Sequence, residues 1–68
     1  MQYNFTVEFQ VRKGLGPEWV TKNVDVGFDD VEPDVPLYII EQWAIADAKR
    51  YLESRDCPVY VFVEIYQT

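Results

Sequence analysis

The sequence predicts a single α+β domain with the element order β-β-α-β, in which one helix packs on one face of a three-stranded sheet. An early segment alternates polar and apolar residues, and a later segment spaces its apolar residues at the helical period. Length points the same way, because 68 residues give room for one core. Residues 1–68 are therefore expected to form one domain.

The first strand is predicted from its strict alternation. From Tyr3 to Arg12, apolar side chains occupy every odd position and polar side chains every even one, as in a strand with one buried face. The letters KGLGP follow. Their two glycines tolerate positive φ and their proline cannot donate a hydrogen bond to a sheet. The chain is therefore expected to turn near residues 14–17.

The second strand is expected over about residues 18–28. If the hairpin pairs Val11 with Val20, Phe9 lies opposite Lys22, whose methylene chain would cover the ring while its charge reaches water. The alternative is a bulge near Thr21 to Asn23, since Lys22 interrupts the apolar face of the strand. The first register also pairs Val7 with Val24 and Phe5 with Val26.

An acidic loop is predicted next, because the letters DDVEPD place four carboxylates within six residues. Those four residues are Asp29, Asp30, Glu32 and Asp34. Two prolines in the same stretch also argue against a regular element, so the loop is expected to face water. Asp34 is the predicted N-cap of the following helix, with Pro36 in the first turn, where an N–H is not needed.

The helix is expected over about residues 35–54, where the apolar spacing changes to three and four residues. Two alanines on its apolar side would let the helix approach the sheet closely. The residues predicted to face the sheet are Leu37, Ile40, Ala44, Ala48, Tyr51 and Leu52, with Ile45 at the margin. A turn containing Cys57 ends the helix, and Pro58 opens the last strand, where a missing donor is tolerated.

The third strand, VYVFVEIY at residues 59–66, carries apolar residues in both phases. Regular alternation predicts that Val59, Val61, Val63 and Ile65 face the helix and that Tyr60, Phe62, Glu64 and Tyr66 face away. The predicted buried face of the sheet then comprises Phe5, Val7, Phe9, Val24, Val26, Val61 and Val63. A strand with two apolar faces needs two coverings, and the chain supplies only one helix.

The strands are expected to be antiparallel in the order 2-1-3. A right-handed crossover through the helix returns the third strand parallel to the second, and the first strand, with the longest regular pattern, suits the centre. The alternative places the third strand beside the second, in the order 1-2-3. The arrangement resembles half of a ferredoxin-like fold in topology alone, and a fold does not carry a function.

Composition restricts the classes of function. Twelve Asp and Glu against six Lys and Arg give a net charge of −6, which disfavours direct binding of nucleic acid or of anionic membranes and favours a basic protein partner. The alternative is that the acidity serves solubility alone. Histidine is absent, which removes the commonest general base and transition-metal ligand. The chain is therefore expected to be neither an enzyme nor a cofactor-binding protein.

The sequence contains two candidate chemical sites, a lone cysteine and the acidic loop, and neither is predicted to be functional as a nucleophile or as a metal site. Cys57 is the sole cysteine, it lies beside a carboxylate that would raise a thiol pKa, and we interpret it as structural. The acidic loop lacks the ligand spacing, central glycine and closing Glu of a calcium loop, so no metal is expected. One cysteine, no signal-peptide pattern and no apolar run long enough for a span predict a cytoplasmic protein.

Two surfaces are the candidate partner sites besides the loop. The first is the sheet face expected to lie opposite the helix, with Trp19, Tyr60, Phe62, Glu64 and Tyr66. Such rings can stack on RNA bases, but the carboxylates of Glu8, Asp25 and Glu64 have the wrong sign for a phosphate backbone. The second is a helix stripe with Ile39 and Trp43. Aromatic residues on either surface suit a protein partner.

These features predict a non-enzymatic interaction module. The specific hypothesis is an inhibitor or adaptor that binds a basic surface of a protein that handles nucleic acid, because carboxylates on a rigid domain can imitate phosphates. Its size and charge resemble those of phage-encoded antagonists of restriction or CRISPR systems, and such a protein would act in the host cytoplasm. The alternative is a self-associating, homodimeric domain with a structural or ligand-sensing role that uses its aromatic sheet face.

Overall fold

The computed structural model describes residues 1–12, 16–55 and 59–68, and it shows the predicted β-β-α-β arrangement. The elements are β1 (Tyr3–Arg12), β2 (Trp19–Phe28), α1 (Leu37–Ser54) and β3 (Val59–Gln67). The strands are antiparallel in the order β2-β1-β3. The predicted order 2-1-3 is confirmed and the order 1-2-3 is wrong, so the strand with the most regular alternation is the central one.

Two predicted features fall on residues outside the described ranges. The first half of the turn expected near residues 14–17 is one of them, because residues 13–15 are not among those described. The other is the turn between helix and last strand with Cys57 and Pro58, because residues 56–58 are not among those described.

The predicted register between β1 and β2 is confirmed. Val11 lies opposite Val20 and Phe9 opposite Lys22, and the pairing runs from one end of both strands to the other without a shift. The alternative of a bulge around Lys22 is therefore wrong. Lys22 fits the regular ladder because its side chain reaches solvent while the ring of Phe9 is fully buried. β2 itself begins one residue later than expected, at Trp19.

The core lies between α1 and the face of the sheet that α1 covers, which we call the inner face. Apolar side chains of β1 fill its centre, because this strand is paired on both edges and covered by the helix. The buried residues are Phe5, Val7, Phe9 and Val11 of β1, Val24 of β2, Val31 of the loop, and Ile40, Ala44, Ala48 and Leu52 of α1. Val31 is a core residue that the sequence pattern did not predict.

The contact stripe of α1 is narrower than predicted. Buried positions recur every four residues, from Ile40 to Leu52, with Ile45 partly buried beside them. Leu37 and Tyr51 were expected in the core, but they are 45% and 41% exposed. Both are three residues from a buried position, which turns them to the side of a stripe that follows the four-residue row.

The helix begins at Leu37, with Pro36 as its N-cap and no side-chain capping bond. The prediction that Asp34 caps the helix is wrong. Proline disfavours the helical conformation in the residue before it, so Val35 cannot join the helix. Pro36 has extended dihedral angles, and its carbonyl accepts the amide of Ile39 at 3.1 Å. Pro36 therefore makes the helix begin at Leu37, two residues later than the apolar spacing of the sequence suggests.

A β-bulge in β3 reverses the faces predicted for half of this strand. Glu8 lies opposite Glu64, but Phe9 lies opposite Phe62, so Val63 is an extra residue on β3. Residues opposite each other in an antiparallel pair share a face. Tyr60 and Phe62 therefore lie on the inner face, as does Ile65 beyond the bulge.

The prediction that Val59, Val61 and Val63 face the helix is accordingly wrong, and Val59 lies opposite Arg12 on the face that the helix does not cover. Val61 lies opposite Gln10 on the other side of the sheet, the outer face, and is 53% exposed; Val63 is 44% exposed. The bulge brings two rings toward the core instead. Phe9 meets Tyr60 edge-on at 5.8 Å and Phe62 at 6.2 Å between ring centroids. Two aromatic contacts replace the valine packing that regular alternation would give.

Candidate protein-interaction surface

The outer face of the sheet is a polar surface organised by cross-strand pairs. Thr6 donates a hydrogen bond to the carboxylate of Asp25 at 2.8 Å, and Gln10 donates to the hydroxyl of Thr21 at 2.7 Å. Each pair lies directly opposite in the β1–β2 register, where side chains approach most closely. The polar positions of β1 therefore form an ordered hydrogen-bonded surface on the face that α1 does not cover.

A pair of carboxylates lies at the middle of this outer face. Glu8 and Glu64 are directly opposite on β1 and β3, a position in which like charges destabilise a sheet. The hydroxyl of Tyr66 lies 3.1 Å from Glu8 Oε1 and 2.9 Å from Glu64 Oε2. It carries one proton, so it donates to one carboxylate at a time. The pair thus has more acceptor capacity than the phenol can satisfy.

These contacts raise the pKa of Tyr66 to about 12. The first cause is the hydrogen bond to Glu64 and the second is the hydrogen bond to Glu8, since both bonds need the protonated phenol; desolvation and carboxylate charge add to them. A comparable contact exists at the other end of β3. There the Tyr60 hydroxyl donates to Glu53 Oε1 at 2.8 Å, and this bond is the main cause of a raised Tyr60 pKa.

The tyrosinate titration of Tyr66 tests this arrangement. We expect the absorbance difference between the wild type and Tyr66→Phe to show a midpoint of about 12. Because the folded pKa exceeds the ordinary value of 10.0, these bonds stabilise the fold below that pH, and the contribution is lost as the pH rises through the folded pKa. The double change Glu8→Gln, Glu64→Gln should lower the midpoint. An unchanged midpoint in this variant would contradict the proposed cause.

The aromatic sheet face predicted from the sequence is divided between the two sides. Tyr66 and Trp19 are on the outer face, where Trp19 is 44% exposed and the Arg12 guanidinium lies 5.7 Å from its ring centroid. Tyr60 and Phe62 are on the inner face because of the bulge. Phe62 is nevertheless 39% exposed, since α1 lies over β1 and β2. No single face gathers all four rings.

The helix stripe packs partly on the end of β2. Trp43 meets the ring of Phe28 at 6.0 Å between centroids and stays 43% exposed. Ile39 is partly buried, and Tyr38 beside it is 62% exposed. The exposed parts of Trp43 and Tyr38 lie in the first half of α1, next to the acidic loop.

The acidic loop presents its four carboxylates to solvent, as predicted. It is nonetheless fixed to the domain. The side chain of Val31 is buried, its amide donates to the Met1 carbonyl at 2.9 Å, and the Met1 amino group donates back to the Val31 carbonyl at 2.9 Å. Asp30 has a φ of 57°, in the left-handed region that Asp tolerates better than most residues. The loop is a folded part of the surface.

Charge is divided along the length of the molecule. The half that contains the loop comprises residues 1–8, 23–45 and 64–68 by the strand register, and these ranges contain no Lys or Arg. We call this half the acidic end, and its carboxylate residues are Glu8, Asp25, Asp29, Asp30, Glu32, Asp34, Glu41 and Glu64. The described Lys and Arg residues, Arg12, Lys22, Lys49, Arg50 and Arg55, all lie in the other half. The fold therefore has a strongly negative pole.

The described ranges offer few other features for chemistry. They contain no pocket and no group of three or more His, Cys, Asp or Glu side chains placed to hold a metal ion. The one helix they contain, α1, does not combine the length and the apolar character that crossing a membrane requires. Comparison of the chain with protein-family models, with curated proteins and with solved structures found no match.

Proposed function

We propose that this chain is a non-enzymatic interaction module that uses its acidic end to bind a basic surface of another protein. One observation carries the proposal: the acidic end, at residues 1–8, 23–45 and 64–68, holds eight carboxylates and no Lys or Arg side chain. A pole of this kind gives a field that attracts cationic surfaces and orients the domain during approach. The four loop carboxylates are the central contact residues, with Glu64 and Tyr66 extending the surface onto the outer face.

The partner class proposed is a protein that handles nucleic acid, with this chain as an inhibitor or adaptor. Such proteins present Lys and Arg to a backbone with one negative charge per ~1.7 Å of duplex. Fixed carboxylates on a folded surface supply charge of the same sign without a flexible chain. Phage-type antagonists of restriction or CRISPR systems would act in this way, in the cytoplasm of the host.

An aromatic residue of the acidic end would add to the lifetime of the complex. Trp43 is partly exposed and held edge-on by Phe28, and Trp is prominent among residues that dominate binding energy. Charge then governs the association rate and the ring governs the dissociation rate.

Neutralising the loop tests the role of charge. The immobilised chain captures a partner from a cell lysate, and the rates are then measured with the purified partner. We expect the triple change Asp29→Asn, Asp30→Asn, Glu32→Gln to slow association by about 10-fold or more at low salt, with a smaller effect at moderate salt, because electrostatic steering contributes roughly 10–10³-fold and is screened by salt. Asn at position 30 also tolerates the left-handed backbone. Trp43→Ala should mainly speed dissociation.

The matched control removes three carboxylates from the other half, by Glu18→Gln, Asp47→Asn and Glu53→Gln. It changes the net charge by the same amount and should slow association far less. Duplex DNA should displace the chain from its partner if the two share a basic surface. Equal slowing of association by both triple variants would show an effect of net charge alone. An association rate that does not change with salt concentration would refute the proposal.

A further inference from the structure

We infer that the chain forms a weak symmetric dimer through the free edge of β3, with Val61 on the two-fold axis. β3 pairs with β1 on one side, and no strand within residues 1–12, 16–55 and 59–68 pairs with its other side. Its first five residues, Val59 to Val63, carry no charge. This inference concerns a different part of the molecule from the acidic end and does not depend on the proposed function.

The two edges of the sheet differ in how they are protected. An exposed strand edge is a template for pairing with another chain, and natural proteins guard it with charged residues, above all lysine. β2 has such protection, with Lys22 and Asp25 within the strand. β3 has one charged residue, Glu64, and it lies beyond the bulge. The segment between residue 59 and the bulge therefore has an open edge without a guarding charge.

Aromatic pairing across the axis favours the register centred on Val61. A two-fold axis normal to the sheet places one residue opposite its own copy and keeps the two inner faces on the same side. With the axis at Val61, Tyr60 of one copy lies opposite Phe62 of the other on the inner face, twice. Val61 meets its own copy on the outer face. The half-exposed Phe62 ring, which α1 leaves uncovered, gains an aromatic neighbour in this register.

Charge favours the same register. Glu64 of each copy would lie beyond the paired segment, and the two carboxylates would be six residues apart along the strand direction, roughly 20 Å at the usual rise per residue. This separation exceeds the screening length of about 8 Å at physiological salt. A register centred on Glu64 would instead place two carboxylates directly opposite each other. The occupant that fits this edge is therefore a second copy, as a six-stranded sheet with both helices on one side.

The dimer should be weak. Five paired residues on each side bury less than the ~800 Å² per partner of a standard interface. Sedimentation equilibrium should show the mean mass rising from one chain toward two as the concentration increases from micromolar to near-millimolar values.

Two matched variants identify the edge. Val61→Lys places two ammonium groups opposite each other at the axis, whereas Val20→Lys makes the same change on the edge of β2; the two positions are 53% and 51% exposed. We expect Val61→Lys to be monomeric and Val20→Lys to dimerise like the wild type, with both folded by circular dichroism.

Cysteine cross-linking identifies the register in a Cys57→Ser background. In the inferred register the Cα atoms at position 61 are about 4.5–5.5 Å apart, within the range of a disulfide, so Val61→Cys should cross-link under mild oxidation. Val59→Cys should not, because its copies are about 13 Å apart. A wild type that is monomeric at every concentration, or a dimer that survives Val61→Lys, would overturn the inference. The inference would also be overturned if the chain stayed monomeric and the edge of β3 paired only with a strand of another protein.

Discussion

Val7→Asp is expected to unfold the domain. Val7 is fully buried in the central strand, between Val24 of β2 and Ile65 of β3, and it lies under the helix. A carboxylate there has no partner, and its burial costs several kcal/mol, a large share of the roughly 5–15 kcal/mol that stabilises a typical domain. Circular dichroism at room temperature should show loss of the native spectrum, with no cooperative melting transition.

The matched control is Val61→Asp on β3. Sequence alternation alone would make it as damaging as the change at Val7, because it predicts both side chains under the helix. The bulge instead places Val61 on the outer face with half of its surface exposed, so the substitution should alter the unfolding free energy by about 0.5–1 kcal/mol or less. The comparison is made at low micromolar concentration. Loss of the fold in both variants would contradict the bulge at Val63.

Leu52→Ala should have the second largest effect. Its side chain is fully buried at the end of the helix stripe, and truncation of a buried leucine typically costs about 2–5 kcal/mol through lost burial and the cavity left behind. Urea unfolding should show a much lower midpoint with a similar slope. In a chain of 68 residues, a loss of this size leaves a substantial unfolded population.

Leu37→Ala is the control for the orientation of the helix. Both leucines were expected to face the sheet, but Leu37 is 45% exposed in the first turn. We expect its truncation to cost less than about 1 kcal/mol. Similar losses for the two leucines would mean that α1 is rotated from the orientation described above.

The sequence predicted most of the fold because β1 alternates without an exception. That pattern identified the central strand, and the valines of β2 then fixed the pairing of Val11 with Val20. The same alternation could not assign the faces of β3, because residues 59–63 are apolar at both odd and even positions. A one-residue shift in such a strand leaves no change of polarity to detect, so neither the bulge nor the position of Phe62 was visible.

The sequence predicted which acidic residues are exposed in the loop. It did not predict how the charged groups of the surface are arranged in space. The loop carboxylates were recognised from the letters DDVEPD, and their exposure followed from that composition. Glu8 and Glu64 are 56 positions apart in the numbering, and only the register of β1 with β3 brings them to one phenol. The division of charge between the two halves likewise depends on the direction in which each element runs. Neither property is encoded in a local pattern.

The burial of Val31 has a consequence for how the acidic loop would meet the proposed partner. This buried side chain and the two backbone bonds to Met1 hold the middle of the loop. The conformational entropy of these residues is therefore lost when the chain folds, and little is left to lose when a complex forms. The repulsion among neighbouring carboxylates is likewise already present in the folded monomer, so it adds no further free-energy cost when a complex forms. In the proposed complex the loop would therefore act as a preorganised ligand, since its backbone is already held in one conformation before a partner arrives.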